Sequence, residues 1–96
     1  MKIVYISGPI KGVDDYRKIF FRVEEHLTDQ GFEVVNPVTI PHDHEETYEA
    51  YMKEDLKALL ECDVIYMMWG WKESVGAQFE HKTAQMCGIK IMYGGN

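Results

Sequence analysis

Asp63-Val64-Ile65-Tyr66-Met67-Met68, then Trp69-Gly70-Trp71-Lys72-Glu73, then Ser74-Val75-Gly76-Ala77-Gln78-Phe79-Glu80 read as a strand, a short exit loop and the opening of a capped helix. The first six residues are an apolar run containing β-branched and aromatic side chains, the composition of a buried strand. Ser74 suits a helix N-cap, because its side-chain oxygen accepts from a backbone N–H of the first turn. The helix is expected to run to about Cys87 and to stop at Gly88, with Ile89-Lys90-Ile91-Met92-Tyr93 as the next strand. Strands joined through a helix pair in parallel.

Upstream, the same alternation repeats. Ile3 to Ser7 reads as an opening strand bounded by Gly8-Pro9, and Gly8-Pro9-Ile10-Lys11-Gly12 forms a loop. Asp14 or Asp15 suits the cap of a helix that carries Tyr16, Ile19, Phe20, Val23 and Leu27 at helical spacing and stops at Gly31. Phe32 to Asn36 is the second strand. Residues 37–45 form a polar loop. A helix follows from about Glu46 to Glu61, with Tyr48, Tyr51, Met52, Leu56, Leu59 and Leu60 as its apolar face. Gly94-Gly95-Asn96 reads as a loose tail. With no repeat, linker or low-complexity segment, residues 1–96 make a single domain.

The βαβαβαβ pattern predicts an α/β three-layer sandwich of the flavodoxin or Rossmann-like kind. It has a four-stranded parallel sheet, order 2-1-3-4, with helices on both faces and right-handed crossovers. Ligands of such sheets bind beyond the carboxyl ends of the strands, near the point where strand order reverses. That rule brings together the loops at 8–13, 36–45 and 69–76.

Composition narrows the function classes. A formal net charge of −6 argues against a duplex-binding module, whose affinity rests on Lys and Arg neutralising phosphates. It leaves room for a small anion held by local amides and one or two cations. No apolar run approaches the ~20 residues of a membrane span, and the N-terminus does not read as a signal peptide. The expectation is a soluble cytoplasmic protein that needs no membrane. Cys62 and Cys87 form neither a metal spacing nor a disulfide framework and are expected to be reduced, buried thiols. A chain of 96 residues has a thin core, so a homo-oligomer is expected.

Glu80 and Asp55 are the carboxylates of interest. Glu80 shares a helical side with Gly76, Thr83, Ala84 and Cys87, so it either edges a pocket or is an exposed helix residue beside a lysine. Asp55 lies on or beside the inward face of its helix, between Tyr51 and Leu59, or else pairs with Lys53, Lys57 or Arg17. Ser74 and Gly76 open a helix whose N–H groups are aimed outward, which suits an anion as well as an ordinary cap. Lys11 is either a cation for the same region or a surface lysine. His42-Asp43-His44-Glu45 has too few ligands for a metal centre and reads as solvated loop. Trp69 and Trp71 either line a pocket by stacking, cover a dimer surface or cap the core.

The ordered set Tyr5-Ile6-Ser7-Gly8-Pro9-Ile10, Asp55-Leu56, Asp63 and Ser74-x-Gly76-x-x-x-Glu80 resembles the nucleoside 2-deoxyribosyltransferase superfamily. That superfamily includes the deoxynucleoside 5′-monophosphate N-glycosidases and a short branch of DUF4406 type. The resemblance spans nearly the whole chain. It implies that Glu80 is the nucleophile and that Asp55 assists at the nucleobase. It implies that Ser74 and Gly76 hold the sugar's 5′ end, and that Ser7, Gly8, Pro9, Ile10 and Lys11 border base and sugar. The implied partner is a nucleoside or nucleotide, with no cofactor. Gln78 stands where the hydrolases have glycine, and His81-Lys82 where the characterised enzymes usually have Leu-Gly or similar. The chain also reads as short of their fifth strand. Two other functions fit the sequence: a non-catalytic nucleotide-binding module, and an interaction protein using the Trp69-Gly70-Trp71 loop.

Overall fold

The computed structural model describes residues 2–41 and 46–95. Its elements are β1 (Ile3–Ser7), α1 (Tyr16–Asp29), β2 (Glu33–Val35), α2 (Tyr48–Leu60), β3 (Val64–Met67), α3 (Val75–Met86) and β4 (Lys90–Tyr93). Short 3-10 turns at Pro37–Thr39 and Trp71–Glu73 fill the exits of β2 and β3. The four strands form one parallel sheet in the order β2-β1-β3-β4, as the alternation of elements predicts. Tyr5 stands opposite Val35 on one side and Ile65 on the other, and Ile65 stands opposite Ile91.

Strand parity sorts the core into two layers. Val4 and Ile6 pack with Phe20 and Leu27 of α1, and with Val64 and Met68. Tyr5 points the other way and packs with Ile65, Met67, Leu59 of α2 and Ala77 and Ala84 of α3. α1 therefore covers one face, while α2 and α3 share the other. Ser7 has the parity of Tyr5, so both hydroxyls of β1 are directed toward α2 and α3.

Several local expectations are corrected. Asp15 occupies the N-cap position of α1, but in the left-handed region at φ 57°, and its side chain caps nothing. Leu60 is exposed, because the inward stripe of α2 narrows to Leu56 and Leu59 at its end. Cys62 is buried, whereas Cys87 is exposed, since it is the C-cap residue of α3 and lies past the inward stripe. The tail is tied down: the Gly94 N–H donates to the Met67 carbonyl at 2.8 Å, extending the β3–β4 ladder by one residue. Gly8 is required by a close approach. A Cβ there would lie 2.8 Å from Met68 Sδ and 2.9 Å from Met68 Cβ, so the β1 exit loop sits directly on the β3 exit.

Among the described residues, no helix is long and apolar enough to cross a membrane. No three His, Cys, Asp or Glu side chains gather there as a metal centre would need. The His42–Glu45 segment lies outside the described residues.

Candidate active site

β1 carries two hydroxyls on the face that meets α3, and α3 answers with one carboxylate. The Tyr5 hydroxyl donates to Glu80 Oε2 at 2.8 Å, and the Ser7 hydroxyl donates to Oε1 at 2.6 Å. Glu80 is only 6% exposed, on the buried stripe Ala77-Glu80-Ala84. Its carboxyl is lifted to about 7, first by burial and further by the charge of Asp55, against the two hydrogen bonds, which pull it down. Tyr5 is pushed well above the ordinary phenol value by burial and by the Glu80 and Asp55 charges, so it remains a proton donor at neutral pH.

α3 begins as its residue types predict. Ser74 Oγ accepts from the Ala77 N–H at 3.2 Å, and the Ser74 carbonyl accepts from the Gln78 N–H at 2.9 Å. This leaves the Ser74 hydroxyl hydrogen and the Val75 and Gly76 N–H groups at the open, positive end of the helix dipole. Gly76 faces α2 without crowding: a Cβ there would lie 3.4 Å from Tyr48 Oη and 3.5 Å from Met52 Sδ, ordinary contact distances.

These groups surround one cavity of about 640 Å³ at the carboxyl ends of the strands. Gly8, Pro9, Ile10 and Lys11 line it from the first loop, Asp55 from α2, and Ser74, Gly76 and Glu80 from α3. Every site residue singled out in the sequence lines it except Ser7. Ser7 is 1% exposed and lies behind Glu80, holding the carboxylate in place. Asp55 reaches the cavity from mid-helix because the first half of α2 leans over it, bringing Tyr48, Tyr51 and Met52 along.

Three features had no distinct signature in the sequence. Tyr5 looks like any aromatic strand residue; only its spacing of two from Ser7 marks a pair of hydroxyls on one face. Arg17 lines the cavity from the first turn of α1, and its guanidinium donates to the Val38 carbonyl at 3.4 Å, at the β2 end. The third is a clamp on the turn that precedes Ser74. The Gln78 side-chain amide donates to the Lys72 carbonyl, and the His81 ring stacks on Trp71 with centroids 4.3 Å apart. His81 Nε2 also hydrogen-bonds to the Tyr93 hydroxyl at 2.8 Å. Gln78 and His81, the positions that depart from the enzymes' pattern, both hold this turn. The two tryptophans have separate fates: Trp71 is buried under His81, while Trp69 is 72% exposed.

The parallel α/β fold is shared with 2-deoxyribosyltransferases of known structure. The 2-deoxyribosyltransferase of Bacillus psychrosaccharolyticus superposes with a TM-score of 0.73 at 19% identity, over 95% of this chain and 70% of that one. The 2-deoxyribosyltransferase of Leishmania mexicana superposes with a TM-score of 0.74 at 16% identity, over 97% of this chain and 63% of that one. The chain thus spans roughly two thirds of the length of each. It belongs to the family described as Domain of unknown function (DUF4406), whose profile matches residues 2–93. No curated protein matches the sequence significantly.

Proposed function

We propose that the chain breaks the N-glycosidic bond of a 2′-deoxynucleoside or its 5′-monophosphate, with Glu80 as nucleophile. The observation that carries this reading is a buried carboxylate, oriented by two hydroxyls, facing one cavity with Asp55 and with the start of α3. The cavity is within the size range of small-ligand sites.

In this reaction Glu80 attacks C1′, where the departing base leaves oxocarbenium character. The C1′–N bond breaks and the base nitrogen takes the electron pair; Asp55, which must enter this step in its protonated form and not as the charged neighbour of Glu80, gives that nitrogen its proton. A glycosyl ester on Glu80 results. Water attacking C1′ gives hydrolysis; a second base gives transfer. Ser74, the first N–H groups of α3 and Lys11 hold the 5′ end. Chromatographic detection of free base from deoxynucleosides and their monophosphates tests the reading. No base released from any of them, at enzyme concentrations comparable to substrate, defeats it.

The nucleophile must be ionised, so activity is expected to rise with pH through about 7. Both hydroxyl hydrogen bonds lower that value. Tyr5→Phe or Ser7→Ala is therefore expected to move the rising limb upward by about one pH unit, the scale of one hydrogen bond to a charged group. A kcat–pH profile checks this, and an unmoved midpoint would separate these hydroxyls from Glu80's ionisation.

We also propose that the chain self-associates through α3. Val75, Phe79 and Met86 lie on one stripe of the helix and are 74%, 56% and 77% exposed. Phe79→Glu combined with Met86→Glu is expected to lower the mass measured by light scattering to that of a monomer. A wild-type protein that is monomeric at high concentration contradicts the proposal.

A further inference from the structure

A second cavity, of about 400 Å³, lies beside the first on the α1 side of the β3 exit. Pro9, Lys11 and Glu73 line both cavities. Glu73 directly precedes Ser74, so the two spaces meet at the start of α3, where the proposed reading puts the sugar's 5′ end. Beyond the junction the smaller cavity is apolar, with Ile19, Met68 and the indole of Trp69 among its walls. Trp69 is mostly exposed, with the tail beside it. The tail passes so close that a Cβ on Gly95 would lie 2.6 Å from its Cδ1. An open indole with the chain beside one edge is a stacking platform for a planar ring.

The junction also speaks to charge. Lys11 and Glu73 contribute one cation and one anion there, while Arg17 is held at the β2 end by the Val38 carbonyl. A balanced pair beside helix N–H groups suits a singly charged phosphodiester better than a dianionic terminal phosphate. The net charge of −6 acts in the same direction.

We infer that the smaller cavity is the second half of an extended substrate site. The substrate class is then a nucleoside whose 5′ oxygen is joined through a phosphodiester to a unit bearing an aromatic ring, which stacks on Trp69. This inference rests on the proposed reading of the larger cavity. Four probes test it by calorimetry in the full chain carrying Glu80→Gln, so that no bond breaks during titration. They are deoxyadenosine, its 5′-monophosphate, the 3′–5′ dinucleoside monophosphate of deoxyadenosine, and its 5′–5′ dinucleoside monophosphate. One or both dinucleosides are expected to bind about tenfold tighter than the monophosphate, on the scale of one stacked base. Which of them does so identifies the linkage. Adding Trp69→Ala is expected to remove that advantage without changing the monophosphate affinity, and Trp69→Phe to retain most of it. Dinucleosides that bind no tighter than the monophosphate overturn the inference alone. So does a Trp69→Ala effect equal on all probes. Failure of all four to bind overturns the reading of the larger cavity as well.

Discussion

Glu80→Gln is expected to lower base release by at least about a thousandfold, while the protein stays folded and still binds nucleotide. The magnitude follows from the loss of a group that acts as part of a unit; removing a nucleophile leaves only what binding and the remaining polar groups supply. Gln is the informative replacement, because it preserves shape and fills the same volume. Its amide oxygen accepts from one hydroxyl of the Tyr5–Ser7 pair, and its NH2 donates to the other, which turns its own hydrogen away. Alanine would instead leave two buried hydroxyls facing a void, confounding chemistry with packing. Tyr5→Phe and Ser7→Ala serve as the comparison, since they alter the ionisation of Glu80 without removing it. They are expected to displace the pH profile while retaining activity at high pH. Activity in Glu80→Gln within tenfold of wild type, by chromatography of the released base, would remove Glu80 from the reaction.

The fold was legible in the sequence because alternation of strand and helix patterns constrains topology strongly. A central pair of apolar strands, Ile3–Ser7 and Val64–Met67, with helices between, leaves few parallel arrangements once crossovers are right-handed. The elements that misled were those where tertiary position overrides periodicity. Tyr48 and Tyr51 have helical spacing with Leu59 but turn toward the cavity rather than the core. Cys87 shares a side with Glu80 in an ideal helix and falls beyond the part that is covered.

The site was legible where its chemistry is written in residue type. Ser74 as a cap and Glu80 on a side of small residues both take the positions that their types suggest. Contacts between remote segments had no such signature. Tyr5 meets Glu80 across 75 positions, and only parity hinted that Tyr5 and Ser7 share a face. Gln78 and His81 looked like departures from a pattern. In the structure they fasten the Trp71–Glu73 turn from the first two turns of α3, so that Ser74 is presented by a braced segment. His81 is held below its ordinary value by burial, then by Lys82, and works here as a neutral ring.

The second large expected effect is on stability, and it runs opposite to the first. A carboxyl whose folded value is raised contributes stability in its protonated form. That contribution is fully present below the unfolded value of 4.5 and is lost as pH rises through the folded value of about 7. The displacement corresponds to about 3 kcal/mol between the two ends of that window. Glu80→Gln is neutral at every pH and lacks this loss. It is expected to match wild type near pH 4.5 and to exceed it by about 3 kcal/mol at pH 8, a difference of more than ~10 °C in melting temperature for a domain of this size. Urea titrations of both proteins at several pH values isolate the effect, because the remaining titrating groups are common to both and cancel in the difference. A gap that does not change between pH 4.5 and 8 would mean that the carboxyl ionises as freely in the folded chain as in the unfolded one. A gap that opens between pH 4.5 and about 7 and levels off above it means that the fold retains a destabilising charge at the floor of its cavity, a cost expected of a group kept for chemistry rather than for packing.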